Sequence, residues 1–294
     1  MSAVTPRTAR RIFRVAEPIH GMIYFTPHGA DAYGAVGITH QRMTYFASRS
    51  AALGPVPAEV VIATFFNFSP AIIRQVIPAA WAIASPAQVL AARLDAVDRS
   101  LRQAWGADAT GPQVREAADL ARRAAERACT RPQGRPLFAG HASLPWPAEP
   151  HLVLWHAQTL LREYRGDGHV ALLFTGGLDG LGALITHAAT GAIPAGALRA
   201  TRAWTEPEWA AGAERLRAEG WLADGPGLVL TENGARRRQS IEDGTDELAV
   251  YPYEAIGEDG CARLRDLAAP LSAAVMAADL GFPAALTARY TDAP

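Results

Sequence analysis

Residues 204–234 read WTEPEWAAGAERLRAEGWLADGPGLVLTENG. Thr205 and Glu208 give the Thr-x-x-Glu pattern of a capping box, in which a hydroxyl and a carboxylate satisfy the free amides at a helix start. The pattern predicts a helix that opens there and ends at Gly220-Trp221-Leu222. Gly225, Gly227 and Gly234 then mark the turns of a two-stranded wing, and a further helix is expected from Ala235. Upstream, residues 179–190 (DGLGALITHAAT) and 194–203 (PAGALRATRA) each predict a short helix.

Working outward, helical periodicity runs through residues 8–26, 29–52, 57–67, 69–82 and 85–105, punctuated by Pro55, Pro57, Pro70 and Pro86. Residues 86–105 place Val89, Leu90, Leu94, Val97, Leu101 and Trp105 on one apolar stripe. A more charged helix is expected over 113–130. Residues 45–65 (YFASRSAALGPVPAEVVIATF) and 137–157 (LFAGHASLPWPAEPHLVLWHA) share Phe-Ala, a small-residue turn, Pro-Ala-Glu and an apolar helix in order. The recurrence suggests an internal duplication, in which two halves form within one chain the interface that homodimers form between chains. The expected organisation is an N-terminal helical domain over 1–130, a winged-helix-like domain over 131–260, and a C-terminal helix and tail over 261–294.

Three helices, a wing whose return strand reads Leu-Thr-x-x-Gly, and a closing helix resemble a MarR-type winged-helix domain over about residues 150–250. The whole chain is similar, more narrowly, to an actinobacterial family of helix-turn-helix-like proteins of comparable length. The segments that carry this likeness are His20–Phe25 (HGMIYF), Tyr45–Pro55, Pro70–Pro86, Pro150–His169 and Ile241–Ala249 (IEDGTDELA). The resemblance implies a mainly α architecture with a winged helix-turn-helix in the C-terminal half. It implies little about activity.

Composition narrows the chemistry. All 28 basic side chains are arginine, against 29 acidic ones, for a net charge of −1. A chain without lysine cannot hold pyridoxal phosphate through a Schiff base, nor close a Gly-Lys-Ser/Thr phosphate loop. Cys129 and Cys261 match no zinc, haem-attachment or disulfide spacing and read as buried thiols of a cytoplasmic protein. Arg10-Arg11-Ile12-Phe13 has the look of a twin-arginine signal, but Glu17, Pro18 and His20 interrupt the apolar stretch such a signal needs. No run suggests a membrane span. Gly176-Gly177-x-x-Gly180 lacks the dinucleotide fingerprint, and Ser48 and Ser50 lack a nucleophile elbow.

DNA reading requires basic groups on the recognition helix. Here that helix carries Glu206, Glu208, Glu214 and Glu219 against Arg215 and Arg217. The best basic cluster is Arg236-Arg237-Arg238 after the wing. Nucleic acid is therefore a disfavoured partner.

The most informative stretch is 151–169, HLVLWHAQTLLREYRGDGH. At about 100° per residue, Val153, Leu154, Ala157, Leu160, Leu161 and Tyr164 share one arc. His156, Thr159, Glu163 and Asp167 share a second. His151, Trp155, Gln158, Arg162, Arg165 and His169 share a third. The helix is either solvent-exposed, or the seat of a buried ion network, or a ligand or catalytic site. Gly166 and Gly168 bracket Asp167, which predicts that the helix ends or kinks there and frees Asp167 and His169 to face a cleft. Glu163 and Asp167 lie about 6 Å apart and could share an ion. His156 is about 10.5 Å from Glu163 along the axis, so a metal would need His141 or His20 from elsewhere.

A second constellation is Glu17, His20, Tyr24 and His28, at spacings of three and four. Nearby Phe25, Tyr33, Tyr45 and Phe46 could line a pocket for a flat organic ligand, or could be core.

The favoured reading is a mainly α, duplicated protein that binds a small molecule between its halves. Tyr24, His20, Arg162, Arg165 and Trp155 are the candidate ligand contacts. The alternative is an acid–base or metal-assisted lyase, hydrolase or isomerase of secondary metabolism. It would use His156, Glu163, Asp167 and His169 as the candidate catalytic groups. The second alternative is a MarR-like DNA-binding regulator. No metal is assigned and no cofactor is identified. The chain is expected to be a pseudo-symmetric monomer or a homodimer.

Overall fold

The computed structural model describes residues 3–283, so the tail expected beyond them lies outside the described residues. The N-terminal half supplies α1 (Pro6–Gly21), α2 (Pro27–Ala35), α3 (Gln41–Ser50), α4 (Ala58–Phe65), α5 (Pro70–Val76), α6 (Ala79–Ile83), α7 (Pro86–Trp105) and α8 (Pro112–Cys129). Then follow α9 (Pro136–Ala142), α10 (Pro150–Thr175), α11 (Gly180–Ala188), α12 (Ala195–Arg202), α13 (Glu206–Ala218), α14 (Glu232–Leu248), α15 (Val250–Tyr253) and α16 (Gly257–Ala277). The protein is thus mainly α. No strand occurs among the described residues, and no single helix is long and apolar enough to cross a membrane.

Proline and caps set most helix starts. Proline opens α1, α2, α5, α7, α8, α9 and α10, where its missing N–H costs nothing. Both halves of the Thr205/Glu208 capping box form: the Thr205 amide donates to Glu208 Oε2 at 2.9 Å, and the Glu208 amide donates to Thr205 Oγ1 at 3.4 Å. The helix expected over 29–52 is interrupted, with Gly37 at φ 87° and the His40 ring accepting the Met43 amide to start α3. The helix expected over 69–82 breaks at Ile77-Pro78.

The wing shrinks to one antiparallel bridge, Leu222 to Leu230. Ala223 donates to Val229 at 2.8 Å and Thr231 to Trp221 at 3.0 Å, and pairing stops there. Beyond lie Asp224-Gly225-Pro226-Gly227, where Pro226 has no N–H and Gly225 sits at φ 119°. The next helix starts at Glu232 rather than Ala235, because the Thr231 hydroxyl accepts the Gly234 amide at 2.9 Å.

Helix α10 is the axis of the molecule. Its 26 residues span roughly 39 Å, and it packs against α8, α14, α9, α1 and α7. Alanines at 117, 118, 121, 124, 125 and 128 bring α8 close to it. Every residue from His151 to Leu161 is buried, which excludes the solvent-exposed alternative.

A second apolar cluster lies in α11–α13 and the bridge, around Leu181, Ile185, Leu198, Trp209, Leu216 and Trp221. This α11–α13 unit leans on the α4–α5 joint. There Trp204 donates through Nε1 to the Asn67 carbonyl at 3.0 Å, and the Ser69 amide donates to the Arg202 carbonyl at 2.9 Å. The two recurrent segments also meet: a Cβ at Gly140 would stand 2.9 Å from the Ala52 carbonyl oxygen. Each segment reads helix, Pro-containing connection, helix, but α4 has 8 residues where α10 has 26.

Candidate functional site

The residues singled out on the polar helix divide along its length. Toward the N-terminus, His20 of α1 stacks on Trp155 with ring centroids 5.9 Å apart. Its Nδ1 lies 3.0 Å from Thr159 Oγ1, and its Nε2 lies 2.9 Å from the Tyr24 hydroxyl. Thr159 already donates its hydroxyl proton to the Trp155 carbonyl at 3.0 Å. The Nδ1 therefore carries the imidazole proton, and Nε2 accepts from Tyr24. Burial, then Arg162, Arg93 and Arg49, push the His20 pKa well below its ordinary value, so the ring is neutral.

Next to this chain lies an ion network. Arg162 donates through Nε to Glu17 at 3.0 Å and through Nη1 to Glu163 at 3.0 Å. Arg49 of α3 donates to Glu163 at 3.1 Å and to the Tyr45 hydroxyl at 3.1 Å. Burial alone would raise the Glu163 carboxyl, but Arg49 and Arg162 outweigh it and hold it at about 2. Glu17 has only Arg162 as a direct partner, and burial leaves its pKa raised. Behind the network, Arg93 is 2% exposed. Its guanidinium lies 5.2 Å from the Trp155 ring and 5.8 Å from the Tyr24 ring, and donates to the Ser48 carbonyl at 3.0 Å. Its Nε and Nη2 have no hydrogen-bond partner, and it has no carboxylate partner among the described residues.

Of these groups Glu17, Tyr24, Tyr45, Ser48 and Arg162 line a cavity of about 920 Å³, and the others stand behind its wall. Its lining includes Glu17, Tyr24, Tyr33, Tyr45, Phe68 and Arg162, and it is closed on one side by residues 200–203 of α12 and the turn after it. Arg202 thus brings a guanidinium from the α11–α13 unit to the same space. It stands 5.1 Å over the Phe68 ring and pairs with no carboxylate among the described residues. Burial and its like-charged neighbours hold its pKa down, against the pull of Tyr45.

The remaining candidates face elsewhere. Helix α10 does not end at Gly166–Gly168. Gly168 is needed because the Arg135 guanidinium crosses there, 2.7 Å from where a Cβ would stand, and donates to the Tyr164 carbonyl. Asp167 therefore does not enter a cleft. It accepts the Phe138 amide at 2.9 Å at the start of α9, and burial lifts its pKa to about 6. His169 also avoids a cleft: its Nδ1 lies 2.8 Å from Thr245 Oγ1, and burial pushes it down to about 4. Arg165 ties α10 to Asp246 of α14 at 2.7 Å. His156 meets the Trp146 edge at 4.8 Å and is pushed to about 4 by burial. Glu163 and Asp167 thus serve different helices, and no group of three His, Cys, Asp or Glu able to hold a metal occurs among the described residues.

The polar groups that sequence reasoning missed are Arg49, Arg93 and Arg202. Arg93 left a trace, since it falls four residues from both Val89 and Val97 on the apolar stripe of α7. Nothing local marks the other two.

The buried histidines predict a pH dependence. His141 (held at about 3), His156 and His169 (each at about 4), and His20 are neutral in the fold but charged below about 6.5 when unfolded. Folded pKa values are depressed, so this contribution is complete above pH 6.5 and is lost as pH falls toward 4. Asp167 acts oppositely, favouring the fold as pH drops below 6. Glu17, whose pKa burial also raises, acts with Asp167, but four histidines outweigh two carboxyls, so unfolding near pH 5 should take up protons. Urea unfolding at pH 7, 6 and 5 checks this, and unchanged stability across that range contradicts it.

The outer surface of the α11–α13 unit carries little free positive charge. Outward positions of α13 are Glu206, Ala210, Ala211, Glu214 and Ala218. Arg215 pairs with Asp179 at 2.7 Å and Arg217 with Glu214 at 2.6 Å. The cluster after the wing is also engaged: Arg237 stacks 3.7 Å over Trp221, and Arg238 is buried against Glu242.

Comparison with curated proteins and with solved structures gave no match. A profile described as a helix-turn-helix family matches residues 9–282, nearly the whole described chain. The chain therefore belongs to that helix-turn-helix family.

Proposed function

We propose that this protein binds a small organic molecule in the cavity between its N-terminal helices, α10 and the α11–α13 unit. The observation that carries the reading is the cavity itself: about 920 Å³, walled by tyrosine and phenylalanine rings, with Arg162 and Arg202 at its polar side. Ligand pockets have this size and this mixture of apolar wall and few placed polar groups. Tyr24, His20, Trp155 and Arg162 serve it directly or from just behind the wall, while Arg165 stiffens α10. An acid–base or metal-assisted enzyme draws less support, because His156, Asp167 and His169 make contacts away from this space.

A thermal-shift screen with small aromatic compounds tests the reading. A compound at a hundredfold excess over its Kd stabilises by about 2.7 kcal/mol. The shift is expected in the natural protein and not in Ala30→Trp, which places an indole at an exposed cavity position. Equal shifts in both proteins, or none in either, would sink the proposal.

Family membership favours a second reading, a DNA-binding regulator. The acidic, alanine-rich outer face of α13 opposes it, since phosphate contacts dominate DNA affinity. Nanomolar, salt-dependent binding to duplex DNA in an anisotropy titration would establish it.

A further inference from the structure

The ion network around the cavity does not balance. Arg42, Arg162 and Arg202 line the cavity against one lining carboxylate, Glu17, while Arg49 pairs with Glu163 beside it. An uncompensated buried charge is costly, and the cost falls when an opposite charge arrives in contact. The surplus has a definite location. The Tyr45 hydroxyl accepts from Arg49 at 3.1 Å. Burial pushes the Tyr45 phenol up, yet Arg49, Arg202 and Arg162 outweigh burial and pull it below its ordinary value. Arg49 touches this hydroxyl, and Arg202 and Arg162 lie over the neighbouring Phe68 and Tyr24 rings.

The groups at this pole are arranged to receive rather than to donate charge. Arg162 is shared between both carboxylates, so it is partly neutralised. Arg202 has none, and its Nε is buried without a partner. Phe68 lies between Arg202 and Tyr45, 5.1 Å from the first guanidinium and 5.5 Å from the second ring. The Tyr24 ring lies tilted against Tyr45, with ring centroids 5.5 Å apart. The neighbourhood offers flat apolar contact beside a positive pole. Guanidinium forks match oxyanions of phosphate and carboxylate geometry.

We infer that the cavity's ligand is an organic dianion, a phosphate monoester or a dicarboxylate on an unsaturated body, whose anionic head sits at Tyr45 between Arg202 and Arg162. A charge of −2 matches the surplus of two guanidiniums. This inference rests on the small-molecule reading above. The body of the ligand extends from the pole along Tyr24 and Phe68.

The test uses the full chain and four probes of one size: 1-naphthyl phosphate, 2,3-naphthalenedicarboxylate, 1-naphthoate and 1-naphthol, titrated calorimetrically at pH 8. At least one dianion is expected to bind ten times or more tighter than 1-naphthol, and tighter than 1-naphthoate. Arg202→Gln should remove that preference without weakening 1-naphthol, and Arg202→Lys should keep most of it. Circular dichroism verifies that both variants fold, and Arg202 lies on the wall with no carboxylate that its loss would strand. If the natural protein binds 1-naphthol as tightly as the dianions, the anion pole is refuted while the cavity reading stands. If 1-naphthoate matches the dianions, the charge of −2 is refuted. If no probe binds, the small-molecule reading falls and takes this inference with it.

Discussion

Glu163→Ala is expected to lower the unfolding free energy by about 3–5 kcal/mol, among the largest losses any single substitution in this chain should produce. Glu163 is 3% exposed and is the direct partner of Arg49 and one of two direct partners of Arg162. Removing it strands the Arg49 guanidinium among Tyr24, Tyr45 and Phe65, which supply rings but no negative charge, and leaves Arg162 with Glu17 alone. The cost arises from the unpaired cation more than from the lost bonds. The double variant Arg49→Met/Glu163→Leu should therefore recover much of the loss, because it removes one cation together with the anion. Urea unfolding of the three proteins measures this. A single variant within 1 kcal/mol of the natural protein would show that the network is solvated rather than buried.

Gly180→Ala should detach the α11–α13 unit from the rest of the molecule. A Cβ there would stand 1.9 Å from the Phe66 carbonyl oxygen and 2.8 Å from its carbon, and backbone cannot rotate away as a side chain can. Phe66 itself occupies φ 56°, so the joint has little room to adjust. The loss is expected to be about 3 kcal/mol, at the upper end for an overpacked site. It should be local: amide exchange over residues 180–241 accelerates, while α8 and α10 keep their protection. Unchanged exchange in the 180–241 segment would contradict the contact on which the cavity's α12 wall depends.

The sequence exposed the architecture where local chemistry speaks. Thr205 and Glu208 announced a helix start, and Pro70 and Pro86 announced two more. It misled where a local feature had a distant cause. Gly166 and Gly168 looked like a helix stop, yet Gly168 is small because Arg135, 33 positions earlier, passes over it. The wing looked complete because nothing in Leu228-Val229-Leu230 shows that Pro226 and Gly225 cut its ladder to one bridge.

The site divides in the same manner. Glu17, His20 and Tyr24 were legible from helical spacing, and Trp155, Arg162 and Glu163 from a helix polar on two of three faces. Both sets do meet, through Thr159 and Arg162. Asp167 and His169 shared that polarity but are engaged by α9 and α14, a distinction set by packing partners and invisible in spacing. Arg49 reaches Glu163 across 114 positions, and Arg202 reaches the cavity only because the α11–α13 unit leans on the α4–α5 joint. Neither relation leaves a local mark.

The central claim is that the cavity walled by Tyr24, Tyr45, Phe68, Arg162 and Arg202 holds a small molecule. Native mass spectrometry tests it most directly, on protein incubated with a metabolite extract and desalted gently. The account predicts one added small-molecule mass per chain, absent from Ala30→Trp treated identically. The same unliganded mass for both proteins would contradict it.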